Sequence, residues 1–262
     1  MLYLYVSLLP SGFLLYLCYE RAYVLLECKA IMDKPKDHSR QLYGRRFGKK
    51  LRPCQSLRLE RGTQRWGLSL ETLEKCQDLS QLFPHNPQEI WLEIGFGGGE
   101  HTAWQAKQNP EVGIIAAEFF INGVASLCRH LEQSALDNVR FVHGDGRCIL
   151  DRLPANAISR TFILHPDPWP KKRHHFRRII NPETLDLLAN VMPRGAQLRC
   201  ATDHSSYKIW MLQHLLAHPA WVWTAKRSQD WSQRSADWPQ TRYEAKALNE
   251  GRTPLYLQFS RQ

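Results

Sequence analysis

Five short apolar runs between residues 90 and 203 each stop at or beside an acid. IWLEI (90–94) carries Glu93, GIIAAEFF (113–120) Glu118, NVRFVHGD (138–145) Asp145, TFILHPD (161–167) Asp167 and QLRCATD (197–203) Asp203. A single acid after a strand means little, because strands commonly end at polar residues. Five in succession, on strands that share one sheet edge, describe a ligand-binding rim.

Directly after the first run comes Gly95-Phe96-Gly97-Gly98-Gly99. Gly95 and Gly97 let the backbone turn tightly and approach a ligand. A dinucleotide fingerprint would place a third glycine where this chain has Glu100, so NAD is disfavoured. Carboxylates, Glu93 and Glu118, flank the loop. A carboxylate after the second strand suits a ribose diol. Acids close by suit a cationic sulfonium and would repel a pyrophosphate. The implied cofactor is S-adenosylmethionine.

The segment HPDPWPKKRHHFRR (165–178) joins an acid, a turn stiffened by Pro166, Pro168 and Pro170, an aromatic, and the densest positive cluster in the chain. Lys171, Lys172, Arg173, Arg177 and Arg178 would face a polyanion at such an edge, so they are candidate RNA contacts. His174 and His175 have no partner at metal-ligand spacing; no metal site is expected.

The elements that must position these residues are legible as an alternation. Apolar runs of strand length are separated by stretches long enough for one crossover helix, which implies a doubly wound, mostly parallel α/β sheet. WVW (221–223) and LYLQF (255–259) would close it as a final hairpin. Residues 55–83 read as helical. Residues 33–54 read as a basic arm broken by glycine and proline. Three segments follow: an apolar leader 1–31, an arm with helical segment 32–85, and a main domain 86–262.

The chain has 262 residues and a net charge of +10, all of it carried after residue 31. Charge alone leaves nucleic acid and acidic membranes open as partners. Residues 1–19 carry no charge, but Pro10 and Gly12 interrupt them and no basic n-region precedes them. Met32, which opens a polar stretch, is the expected start, and no stable membrane association is expected. The seven cysteines form no C-x-x-C pair and are odd in number, which points to a reducing cytoplasm. Monomer and homodimer are equally compatible with the sequence.

The chain resembles the bacterial tRNA (guanine-N7-)-methyltransferases. The matching pieces, in family order, are LEIGFGGGEH (92–101), AAEFF (116–120), HGDGR (143–147), HPDPWPKKRHHFRR (165–178), ATDH (201–204) and TRYEAKALNEGR (241–252). The resemblance implies a seven-stranded, Rossmann-like methyltransferase sheet with an N-terminal extension. It implies that Glu93, Glu118, Asp145 and Asp167 hold the cofactor, with Asp167 also catalytic. Lys171, Asp203, Thr241, Arg242, Tyr243 and Glu244 would contact the substrate, the guanine at position 46 of the tRNA variable loop.

Guanine N7 has an in-plane lone pair and no proton to lose, so its methylation needs alignment rather than a strong base. A carboxylate beside the purine would offset the positive charge that develops there, and would accept hydrogen bonds from N1–H and the 2-amino group. Asp167 is the first candidate and Glu244 the second. An amino-methyltransferase carries a D/N-P-P-aromatic turn, whereas here one proline separates Asp167 from Trp169. A noncatalytic RNA-binding protein on the same fold is the alternative of a different class.

Overall fold

The computed structural model describes residues 43–44 and 46–262. The leader, Met32 and the basic arm up to residue 42 lie outside the described residues. In chain order the elements are α1 (Pro53–Trp66), α2 (Leu70–Lys75), β1 (Ile90–Ile94), α3 (Glu100–Gln108), β2 (Gly113–Glu118), α4 (Ile121–Gln133), β3 (Val139–His143), α5 (Gly146–Leu150) and β4 (Arg160–Leu164). There follow α6 (Pro182–Val191), β5 (Gln197–Thr202), α7 (Ser205–Ala217), β6 (Trp221–Trp223), α8 (Gln229–Ser232), α9 (Arg242–Asn249) and β7 (Leu255–Arg261).

The strands form one seven-stranded sheet, ordered β3-β2-β1-β4-β5-β7-β6. The first five run parallel, and β7 runs antiparallel to both neighbours. Apolar side chains alternate between the two faces, as the pleat requires. Along β2, Ile115 and Ala117 join one core with Leu92, Ile163, Leu198 and residues of α6 and α7. Ile114 and Ala116 join the other with Phe141, Phe162, Leu127 and Trp66. Burial on both faces is why these strands read as unbroken apolar runs.

The chain order reverses beside β1, which lies between β2 and β4. Crossovers therefore leave in opposite directions from β1 and β4, and a crevice opens at the carboxyl ends of these strands. Three of the acids at the run ends, Glu118, Asp145 and Asp167, are delivered to that crevice.

The helical reading of 55–83 holds in α1, α2 and a 3₁₀ turn at Leu79–Leu82. α1 lies on α4 through Gly62, where an added Cβ would meet Cys128 Sγ at 2.4 Å. Arg58 pairs with Glu132 at 2.8 Å, and Trp66 Nε1 donates to Asp137 at 3.0 Å. Beyond α1, the Leu68 N–H donates to Phe141 O at 2.7 Å, which covers the exposed side of β3. The expected final pairing of β6 with β7 forms, but β7 is the strand inserted beside β5. Seven-residue β7 has the length to pair on both sides; three-residue β6, with Val222 exposed, suits an edge.

Candidate functional site

The floor of the crevice is the glycine loop. Gly95, Gly97 and Gly99 all have left-handed backbone, φ 79°, 56° and 80°, which a side chain would strain. Gly99 is the N-cap of α3, so the loop opens directly onto a helix N-terminus. The loop is held from β2. The Gly97 N–H donates to Glu118 Oε2 at 2.7 Å, while the Phe119 and Phe120 N–H groups donate to Oε1 at 2.7 and 2.8 Å. Burial pushes the Glu118 carboxyl up, these three hydrogen bonds oppose that, and the nearby Asp167 charge adds to the rise.

Behind the loop, Gly123 of α4 meets the Gly97 carbonyl so closely that an added Cβ would lie 2.0 Å from that oxygen. Gly123→Ala therefore cannot be absorbed without moving the loop. The expected cost is about 1–3 kcal/mol of stability together with weaker cofactor binding. Thermal unfolding with and without cofactor checks both; an unshifted melting curve with full ligand stabilisation would contradict it.

The crevice wall is the turn after β4. His165 and Trp169 both adopt left-handed φ, 48° and 43°, on either side of Pro166-Asp167-Pro168. Two non-glycine residues in that region mark a turn that the surrounding structure over-determines. The Asp167 side chain is left exposed to the crevice, where partial burial alone raises its carboxyl above the usual range. Among the described residues no hydrogen bond or ion pair to Asp167 is made, and none of the ion pairs involves Glu118. Two carboxylates without a cationic partner thus line one pocket, together with Gly95, Gly97, Tyr243 and Trp169.

The remaining expected residues divide. Asp145 lines the same pocket and caps α5, accepting from Arg147 N at 2.9 Å and from the Arg147 guanidinium at 2.6 Å. The Glu93 side chain does not line the pocket: it is buried, accepting from Thr102 Oγ1 at 2.7 Å and lying 2.9 Å from His101 Nδ1. Asp203 is shared between His165 Nδ1, 3.3 Å away, and Arg252 Nε, 2.6 Å away. Against the burial that would raise it, these two neighbours hold its carboxyl below the ordinary value.

Thr241 caps α9, accepting from the Glu244 N–H at 3.1 Å. Arg242 reaches Glu100 at 3.6 Å, and Tyr243 lies over Gly97, roofing the loop. Glu244 is buried: Oε1 accepts from Arg234 Nε at 2.9 Å and Tyr256 OH at 2.7 Å, while Oε2 is buried without a partner.

Of the cation run, Lys171, Lys172 and Arg173 are exposed, in the segment between the pocket-lining Trp169 and Arg177. Arg177 instead lines the pocket, its guanidinium 3.9 Å from the Tyr43 ring centroid and 4.9 Å from that of Trp169. Arg178 is not a surface contact. It is 1% exposed, donating to Pro168 O at 2.8 Å and Ser206 Oγ at 2.9 Å between Tyr207 and Trp210. It braces the HPDPW turn from behind, because the 3₁₀ turn Lys172–Arg177 delivers the next residue inward.

Sequence reasoning missed Tyr43, Gly44 and Arg147 on the pocket wall and the Arg234–Tyr256 support of Glu244. Arg147 closes the HGDGR piece, which was the signal available for it, as the two flanking prolines were for Trp169.

A family model described as "Putative methyltransferase" matches residues 87–257. Among curated relatives, a tRNA (guanine-N(7)-)-methyltransferase of Rhodospirillum rubrum is 45% identical over 231 residues, 87% of this chain and 90% of the relative. Another of that name, from Ruegeria pomeroyi, is 46% identical over 240 residues, 89% of this chain and 98% of the relative. Among solved structures, the 16S rRNA methyltransferase KamB is similar in fold, with a TM-score of 0.51 at 17% identity over 67% of this chain and 89% of that one.

Proposed function

The chain belongs to the family of the tRNA (guanine-N(7)-)-methyltransferases, and from that premise we propose that it transfers a methyl group from S-adenosylmethionine to N7 of a tRNA guanine. The proposed target is position 46 of the variable loop. The observation that carries the reading is the pair of carboxylates, Glu118 and Asp167, that line the pocket over a glycine floor and make no ion pair among the described residues. That charge balance suits a cationic cofactor and a purine that becomes cationic, and it would repel a phosphate-bearing one.

S-adenosylmethionine supplies an electrophilic methyl group when bound. Glu118 is fixed by three backbone N–H groups and keeps acceptor capacity on Oε2 for a ribose hydroxyl. Asp145, locked by Arg147, is the polar group for the base end of the cofactor. Glu93 acts indirectly: through His101 and Thr102 it ties β1 to the first turn of α3, and so sets the loop between them.

Asp167, at the open side, accepts from guanine N1–H and the 2-amino group. Adenine offers neither donor, so its binding would leave the carboxylate unpaired. Its negative charge opposes the positive charge arriving on the purine. No proton leaves N7, so no base is required. Lys171, Lys172 and Arg173 draw the phosphates to the rim. Arg242 and Tyr243 roof the loop, and Asp203, through His165 and Arg252, fixes the base of the HPDPW turn.

Mass mapping of tRNA after incubation with enzyme and cofactor tests the reading. One added methyl on a variable-loop guanine, as 7-methylguanosine, is the expected product. A methyl on any exocyclic amine, or none, would overturn it.

A further inference from the structure

The cation run contains one aromatic residue, Phe176, and the chain leaves it 46% exposed on a 3₁₀ turn with no buried residue. A large apolar ring among charges at a pocket rim is what single-stranded nucleic-acid surfaces use: cations hold the backbone while π faces take the bases. Phe176 does not stand alone. Its ring meets Tyr43 edge to face, with centroids 5.7 Å apart, and Tyr43 meets Trp169 likewise at 6.4 Å. The Arg177 guanidinium lies 5.4 Å from the Phe176 centroid as well as over Tyr43 and Trp169. Arg177 Nε is buried without an acceptor, so at that atom the rings are its surroundings. The arginine stiffens the group through its π faces. Trp169 is held in left-handed backbone, two residues from Asp167.

We infer that Trp169, Phe176 and Arg177 form a stacking platform for an unstacked RNA base, the immediate neighbour of the guanine that reaches Asp167. The inference rests on the tRNA reading above and adds to it a contact that is indifferent to base identity. Every base has a π face, so the platform would hold the loop strand open beside the pocket without reading sequence.

The test is tRNA binding measured over a range of salt, with 2-aminopurine at either neighbour of the target guanine. The wild-type protein should quench the probe at one neighbour. Phe176→Ala should lose about tenfold to a hundredfold in tRNA affinity and most of the quenching. Its salt slope should match the wild type, whereas Lys172→Ala should lower the slope. Phe176→Trp should retain both affinity and quenching, which separates stacking from a folding defect. Wild-type affinity and quenching in Phe176→Ala, or an equal loss in Phe176→Trp, would overturn the platform. Because binding is read apart from methyl transfer, a protein that binds and quenches but never methylates N7 would count against the functional reading and for the platform.

Discussion

Asp167→Asn is expected to lower the single-turnover rate of tRNA methylation by about 10²–10³ while leaving the fold and most tRNA affinity in place. The amide is nearly isosteric with the carboxylate, and Asp167 has no hydrogen-bond partner among the described residues whose loss would disturb the turn. What changes, in the proposed role, is the charge that would face the purine, and one acceptor becomes a donor opposed to guanine's own donors. Partial burial raises the Asp167 carboxyl above the usual aspartate range. In the proposed role the ionised form is the active one. The rate should therefore fall as pH drops through that raised value and recover above it. In Asp167→Asn this acid limb should be lost. A variant rate within a few-fold of wild type, both substrates saturating, would make Asp167 structural.

Glu118→Ala should cost about a hundredfold or more in cofactor affinity, measured by calorimetry with S-adenosylmethionine. The N–H groups of Gly97, Phe119 and Phe120 all lose their acceptor. A buried donor left unmade costs roughly 1–3 kcal/mol and these part-buried ones less each, while a hundredfold in affinity is roughly 2.7 kcal/mol. Part of that cost falls on the free protein, which should melt several degrees lower. Glu118→Gln offers one acceptor oxygen where three donors converge, so it should be only partly better. Cofactor affinity within threefold of wild type in Glu118→Ala would show that the loop is held by other means.

Much of this site could be read in the chain because its parts are local. Each strand is an apolar run that stops where the sheet edge meets the crevice, so Glu118, Asp145 and Asp167 were findable from the runs alone. Gly95 and Gly97 declare themselves by following β1 directly. The resemblance added 241–244, which no period would have picked out. What escaped depends on contacts far apart in sequence. Tyr43 reaches the pocket across more than a hundred residues to Arg177 and Trp169.

Arg177 and Arg178 look alike in a run of cations, yet the turn cages one and buries the other. Glu244 reads as a free acid until Arg234 and Tyr256 take its Oε1. The place of β7 was equally hidden: apolar alternation predicts pairing, and strand length decides which strand lies inside. Burial of Glu93 against His101 is likewise a matter of how α3 leaves the loop, which the glycines permit but do not dictate.

The most direct measurement of the central claim, that N7 is the methyl acceptor, uses tRNA carrying 7-deazaguanosine at the target position. The analogue keeps N1–H, the 2-amino group and the sugar–phosphate chain, so it should bind with near-normal affinity and still engage Asp167. With carbon in place of N7 it has no lone pair to attack the methyl group. Tight binding and no transfer at that nucleotide are expected, beside full transfer to unmodified tRNA under the same conditions. Transfer to the 7-deazaguanosine nucleotide would contradict it, because the methyl group would then have gone to another atom.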